Sequence, residues 1–218
     1  MKPSLIIVCT IVAAAVLAGC QGVKPYAGTP SSFDIPLLCP SEEDCWTVHH
    51  YPDLDPGPGV LDFKCGTKGT DGDSEVKFRI ARKFRYKSVV QAVSPAAGKV
   101  MRMRNGMEDD LYANGGLGAV KGKECGNGIR ISHGGGLESQ ICHLQNDSMT
   151  LHPGDLVEAG QIIGLVGQSG FASEPYLGVV FYHHGEKIDP FAGPGITNTC
   201  GDTNATLWGP RARAKLAF

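Results

Sequence analysis

From Val76 onward the chain alternates apolar and polar residues in short runs punctuated by glycine. Val76-Lys77-Phe78-Arg79-Ile80 sets three apolar side chains on one face and two charged ones on the other, the period of a half-buried β-strand. The theme recurs at 88–93, 98–103, 128–132, 139–144, 162–167 and 177–182, and each run predicts a strand. The 30 glycines exceed the ordinary share and gather at turn positions such as His133-Gly134-Gly135-Gly136. No segment beyond residue 20 sustains a helical period. The pattern predicts a mainly β fold, an antiparallel sheet folded into a sandwich-like core. Residues 105–123 read as a loop inserted over the sheet, and 39–65, centred on Asp53-Leu54-Asp55-Pro56-Gly57-Pro58-Gly59, as loops held by disulfides rather than a regular element. His152-Pro153-Gly154-Asp155 reads as a turn.

The first residues carry a different signal. Lys2 precedes an apolar run over 5–17 that is too short to span a bilayer, and Leu17-Ala18-Gly19-Cys20 supplies small residues at a processing site. This resembles a bacterial lipobox, which implies a signal helix removed after residue 19 and a lipidated Cys20. Gln21, rather than an acidic residue, implies sorting to the outer membrane with the protein facing the periplasm. The expected organisation is a lipoprotein signal peptide (1–19), a membrane tether (20–37), a disulfide-stapled loop region (38–70), the β domain (71–192) and a C-terminal extension (193–218).

Cysteine usage agrees with an exported chain. Of the 8 cysteines, Cys9 leaves with the signal and Cys20 takes lipid. Cys39, Cys45, Cys65, Cys125, Cys142 and Cys200 form an even set without a Cys-x-x-Cys pair, which favours disulfides over a zinc knuckle. Cys125 and Cys142 flank two neighbouring predicted strands and are the first pair expected to bond. Net charge is −2 with no basic stripe, which gives no footprint for nucleic acid.

The stretch from Gly126 to Pro190 closely resembles the LytM/lysostaphin-type peptidases of the M23 family, zinc enzymes that cut peptide cross-bridges in bacterial cell walls. The resemblance spans about Leu38 to Phe191, and Gln91 to Val100 (QAVSPAAGKV) fixes the register against an Ala-x-x-x-Gly-x-Val strand pair. Where active members place a ligand His and, four residues on, a ligand Asp, this chain has Asp73 and Lys77. Where they place His-x-His, it has Tyr176-Leu177-Gly178. Tyr176 thus stands at a catalytic histidine position and Gly178 at the third ligand position. His143, in Cys142-His143-Leu144, matches the remaining catalytic histidine and reads as a relic.

A zinc peptidase needs three side-chain ligands and one open position. A carboxylate at Asp73 retains ligand chemistry, but the ammonium of Lys77 has no lone pair and Gly178 has no side chain. Lys77 is expected to stand as a cation where the metal stood, paired with Asp73. His49-His50, placed in the loop region, and His183-His184, placed at a hairpin turn, are expected to be surface or structural histidines rather than a relocated metal site.

The resemblance implies a non-catalytic M23-like lipoprotein without cofactor, binding peptidoglycan or regulating a cell-wall amidase or other hydrolase, as relatives without zinc ligands do. The glycine-rich rim over 164–170 is expected to let a ligand approach closely. The alternative is a zinc endopeptidase acting on peptidoglycan cross-bridges with an altered metal site built from Asp73, His143 and a displaced histidine.

Overall fold

Strands form where the alternation is cleanest. In the computed structural model, which describes residues 28–41, 44–85, 89–195 and 199–218, Val76, Phe78 and Ile80 point inward and are at most 1% exposed, while Lys77 and Arg79 face outward. In chain order the elements are β1 (Leu37–Leu38), β2 (Trp46–His50), β3 (Val76–Ile80), β4 (Gln91–Val93), β5 (Gly98–Arg104), α1 (Leu111–Val120), β6 (Asn127–Ser132), β7 (Leu137–Leu144), β8 (Leu156–Val157), β9 (Ile162–Leu165), β10 (Tyr176–His183), β11 (Glu186–Ile188) and α2 (Pro210–Leu216). The fold is mainly antiparallel β, as the patterning predicts.

The large sheet runs β2-β3-β10-β7-β6-β5-β8, with β11 folded back on β10, and a small sheet runs β1-β4-β9. Phe78, Ile80, Ile129, Ile131, Ile141, Leu177 and Phe181 build the inner face of the large sheet, and Ala92 and Ile163 of the small one lie in the same buried cluster. Burying one such side chain contributes roughly 1.5–3 kcal/mol, so this shared core is what holds the outward face rigid. That outward face carries Lys77, Arg79, Tyr176, Gly178, Gln140, Cys142 and Arg130.

Several expectations need correction. The tether does not reach residue 37, because Phe33, Ile35 and Leu37 are buried and Phe33 bridges Trp208. Short apolar residues spaced by proline and polar residues carry no period, so their burial is not legible locally. The 39–65 stretch is stapled by Cys39–Cys45 but also contributes β2. His49 and His50 therefore lie on a strand rather than in a loop.

The 105–123 insertion folds into α1, broken at Gly116 where φ is 63°. Three glycines in ten residues weaken any helical period, and the insertion is instead pinned by tertiary contacts. Asp109 accepts backbone N–H bonds from Asn146 and Gln168, and Tyr112 meets Phe171 edge-on at 4.8 Å. The extension over 199–218 is not peripheral either. Trp208, Ala212 and Leu216 are buried, with Trp208 packed against Phe181 and Phe191.

The six expected cysteines form three disulfides, Cys39–Cys45, Cys65–Cys200 and Cys125–Cys142. The signal helix and Cys20 lie outside the described residues.

Candidate functional site

β3, β10 and β7 lie side by side, and their register brings the five singled-out positions together. Gly178 pairs with Lys77 on one side and with Cys142 on the other. Asp73, one turn ahead of β3, reaches back so that its carboxylate lies 2.6 Å from Lys77 Nζ. Both side chains are about three-quarters covered.

His143 joins them through a backbone distortion. Its φ is 64°, a left-handed conformation that costs a non-glycine residue on the order of 1–3 kcal/mol and must be held by its surroundings. His143 N–H donates to Cys125 O at 2.9 Å, and Gly167 N–H donates to His143 O at 2.9 Å. The Cys125–Cys142 bond clamps the same spot. This break in the strand alternation lets the imidazole reach Tyr176, on the face that carries Gly178.

The ring is fully engaged. Ser169 O is a carbonyl and can only accept, so Nδ1 of His143 carries a proton and donates to it at 2.7 Å. Tyr176 OH then donates to Nε2 at 2.7 Å, with the Phe171 carbonyl 3.3 Å away as a second acceptor. Burial, and secondarily the negative charges of Glu75 and Asp73, push the Tyr176 phenol well above its ordinary range. It remains a proton donor and is not available as a base.

The residue that sequence reasoning missed is Glu75. Its Oε1 lies 3.5 Å from His143 Nε2, and its Oε2 lies 3.7 Å from Lys77 Nζ. A Cβ added to Gly178 would fall inside the Glu75 carboxylate. Glu75 therefore fills the space that a side chain at position 178 would need. In the sequence it stands only as an acid two residues before Lys77, and it is Lys77 that pairs with Gly178.

His50, expected as a surface or structural histidine of the loop region, stands instead on β2 beside the centre. It pairs with Lys77 across β2 and β3, and its Nε2 lies 2.7 Å from Thr70 Oγ1. Burial, with the Lys77 charge next, lowers its proton affinity. His183 and His184 sit at the β10–β11 turn, as the sequence implies, and His184 packs against Gly136. His152 makes a turn with Asp155.

The glycine-rich rim does not stay open for a ligand. A Cβ at Gly167 would meet Gln145, and one at Gly170 would meet Glu124 and Gly126, so these glycines admit the chain's own backbone.

Residues 83–190 match the profile of peptidase family M23. The chain carries an M23-family domain. The matched segment contains His143, Tyr176 and Gly178 and begins after β3, so Asp73 and Lys77 are placed at the centre by the strand register rather than by the match. No curated protein sequence matches the chain significantly.

Solved structures similar to the M23 domain and its flanks include a zinc-containing peptidase from Vibrio cholerae, at 18% identity and a TM-score of 0.41, covering 66% of this chain and 39% of that one. Another is a mutant catalytic domain of the prophage-encoded M23 protein EnpA from Enterococcus faecalis, at 17% identity and a TM-score of 0.47, covering 72% of this chain and 98% of that one. A third is the SpoIIIAH–SpoIIQ complex, at 11% identity and a TM-score of 0.49, covering 72% of this chain and 96% of the matched one.

The side chains present do not fit the zinc of active M23 members. Zinc requires deprotonated N, O or S donors. Of the positions that the resemblance gives as ligands, Lys77 ends in an amine, Gly178 has no side chain, and the Asp73 carboxylate is already bound to that amine. Among the described residues no group of three or more His, Cys, Asp or Glu is placed to hold a metal ion. The centre instead carries a cation of its own, with Asp73 and Glu75 gathered around Lys77.

Proposed function

We propose that the chain is a non-catalytic M23-like module of the bacterial cell envelope that binds peptidoglycan or regulates a cell-wall hydrolase. The observation that carries this reading is the ion pair of Lys77 with Asp73, at 2.6 Å, on the strand that pairs with Gly178. An ammonium repels a divalent cation and offers it no electron pair. His143, the one retained catalytic histidine, has both ring nitrogens bonded within the protein. No free general base is built into the centre, and Arg79, Arg130 and Gln140 on the face around it are partly open to solvent.

In this reading lipidated Cys20 anchors the protein to the outer membrane facing the periplasm. The lipobox supports it, and loss of labelled palmitate incorporation in Cys20→Ala would accompany it.

The decisive experiment combines metal content with binding. The purified protein is expected to carry no stoichiometric zinc by mass spectrometry, and to sediment with isolated sacculi or capture a cell-wall amidase. One zinc per chain, together with chelator-sensitive clearing of cell-wall suspensions, would establish an altered zinc endopeptidase instead. Failure to bind either sacculi or an amidase would also reject the module.

A further inference from the structure

On the same outward face, displaced from Gly178 toward the far strands, a cavity of about 390 Å³ opens between β5, β6, β7 and the 122–126 loop. Four cations line it: Arg102 and Arg104 of β5, Lys123 of the loop, and Arg130 of β6. Arg102 and Arg130 are direct cross-strand partners. Like charges set opposite each other on antiparallel strands destabilise the pair. Local conflicts of this kind are tolerated chiefly where a site must be kept for binding.

The nearby carboxylates relieve the conflict only on the Arg130 side, and Glu124 is the one acid lining the cavity. Glu138 is engaged by Arg130, whose guanidinium also lies 3.7 Å from the centroid of the Tyr182 ring. Glu124 accepts the Gly122 N–H at 2.7 Å, and such backbone bonds hold its carboxyl below the ordinary range. Arg104 donates to Gly126 O at 3.2 Å. Among the described residues Arg102, Arg104 and Lys123 form no salt bridge. Positive charge is therefore in local excess on a chain of net charge −2.

The shape of the floor matters as well. Gly128 lies opposite Arg104, and a side chain there would meet Ile141 O at 2.5 Å and Cys125 Sγ at 2.8 Å. The Ile141 carbonyl and the disulfide together leave no space for a side chain at 128, and Gly128 lines the cavity beside Arg104.

We propose that this cavity binds an acidic peptide segment in extended conformation, with carboxylates two residues apart seated on Arg102 and Arg104. Side chains two apart on a strand project from one face roughly 7 Å apart, and alternate side chains of an extended peptide repeat at the same interval. The planar guanidinium matches a carboxylate with two parallel N–H bonds. The volume lies near the lower end of the roughly 300–1,000 Å³ of ligand sites, which admits a few residues and not a folded domain. Gln140 lines the same cavity and adds an amide able to bond a peptide carbonyl. The site is independent of the non-catalytic reading, since it includes none of Asp73, Glu75, Lys77, His143, Tyr176 or Gly178.

The test is calorimetric titration of the full chain with the N-acetylated, amidated peptide Glu-Ala-Glu, with Gln-Ala-Gln and pyrophosphate as comparisons. Glu-Ala-Glu is expected to bind, to weaken with added salt, and to lose at least about tenfold in affinity in Arg102→Gln and in Arg104→Gln. Thermal melting should show Arg102→Gln to be as stable as the native chain or more so, because a repulsion has been removed. Absent binding at millimolar peptide, equal binding of Gln-Ala-Gln, preference for pyrophosphate, or unchanged affinity in both variants would overturn the proposal. So would affinity losses that track a falling melting temperature, which would reveal a merely structural role.

Discussion

The Glu75 carboxylate occupies the volume that a side chain at position 178 would need, so the glycine and the acid are complementary parts of one arrangement. With Lys77 paired to Gly178 on the neighbouring strand, the acid is held from below by the backbone and from the side by the ammonium.

Gly178→Ala should therefore destabilise the protein by about 1–3 kcal/mol, since an inserted methyl must evict a largely covered carboxylate. In a Glu75→Ala background the same substitution should be neutral or stabilising, because alanine is preferred to glycine within a strand. A double-mutant cycle by urea unfolding would read a coupling of roughly 0.5–3 kcal/mol. Additive effects would mean that the two positions do not share the space.

Removing the cation should expose latent metal chemistry. Lys77→Ala leaves the carboxylates of Asp73 and Glu75 without their counter-charge beside His143 and His50. Zinc affinity is expected to rise at least about tenfold over the native chain, equivalent to about 1.4 kcal/mol, in competition with a coloured chelator. Unchanged affinity would show that the ammonium is not what excludes the ion.

Tyr176→Phe strips the donor from His143 Nε2, on a residue 3% exposed, and should cost about 1–3 kcal/mol. Absorbance titration supplies a sharper signature. Because the Tyr176 phenol is held well above the ordinary tyrosine range, the variant should show the same tyrosinate signal near pH 10 as the native protein. A lost step there would place Tyr176 in solvent.

Two buried groups impose opposite pH dependences. Burial raises the Asp189 carboxyl to about 7, and its Oδ2 has no partner, so its stabilising neutral form is complete below the ordinary value of 3.8 and is lost as pH rises through 7. Burial lowers His133 to about 4, so its contribution is present above 6.5 and is lost as pH falls through 4. The two slopes offset each other in the native protein. Asp189→Asn should unmask a loss of stability toward acid, and His133→Asn a loss toward neutral pH, each on the order of a few kcal/mol across pH 4–7 in denaturant titrations. Parallel curves for all three proteins would contradict both assignments.

Cys125→Ser with Cys142→Ser opens a covalent loop with a sequence separation of 17, and should lower stability by about 3 kcal/mol. The left-handed backbone at His143 depends on that clamp. The Tyr176–His143 hydrogen bond should therefore weaken together with the disulfide, visible as a shifted imidazole signal in NMR spectra.

The sheet was legible because Val76, Phe78 and Ile80, or Leu177, Val179 and Phe181, declare their inward face by strict alternation. Asp73, Lys77, Tyr176, Gly178 and His143 were legible because a family motif fixes their spacing. Glu75 was not, since it occupies an unspecified position of that motif and acquires meaning only through the void above Gly178. His50 read as a loop histidine because β2 is short and followed by a proline- and glycine-rich stretch. Phe33 and Trp208 gave no local sign of meeting, as residues from opposite ends of a chain can be paired only by the packed core. α1 was hidden by its own glycines, which are tolerated because Asp109 and Tyr112 hold the segment in place.

The Cys65–Cys200 bond, with a sequence separation of 135, closes a covalent ring around the whole matched segment 83–190. A protease that nicks any exposed turn within that ring leaves both pieces tethered and still woven into one sheet. In a compartment rich in hydrolases such a molecule would outlast a single cut, and only reduction of the bond would let its halves part.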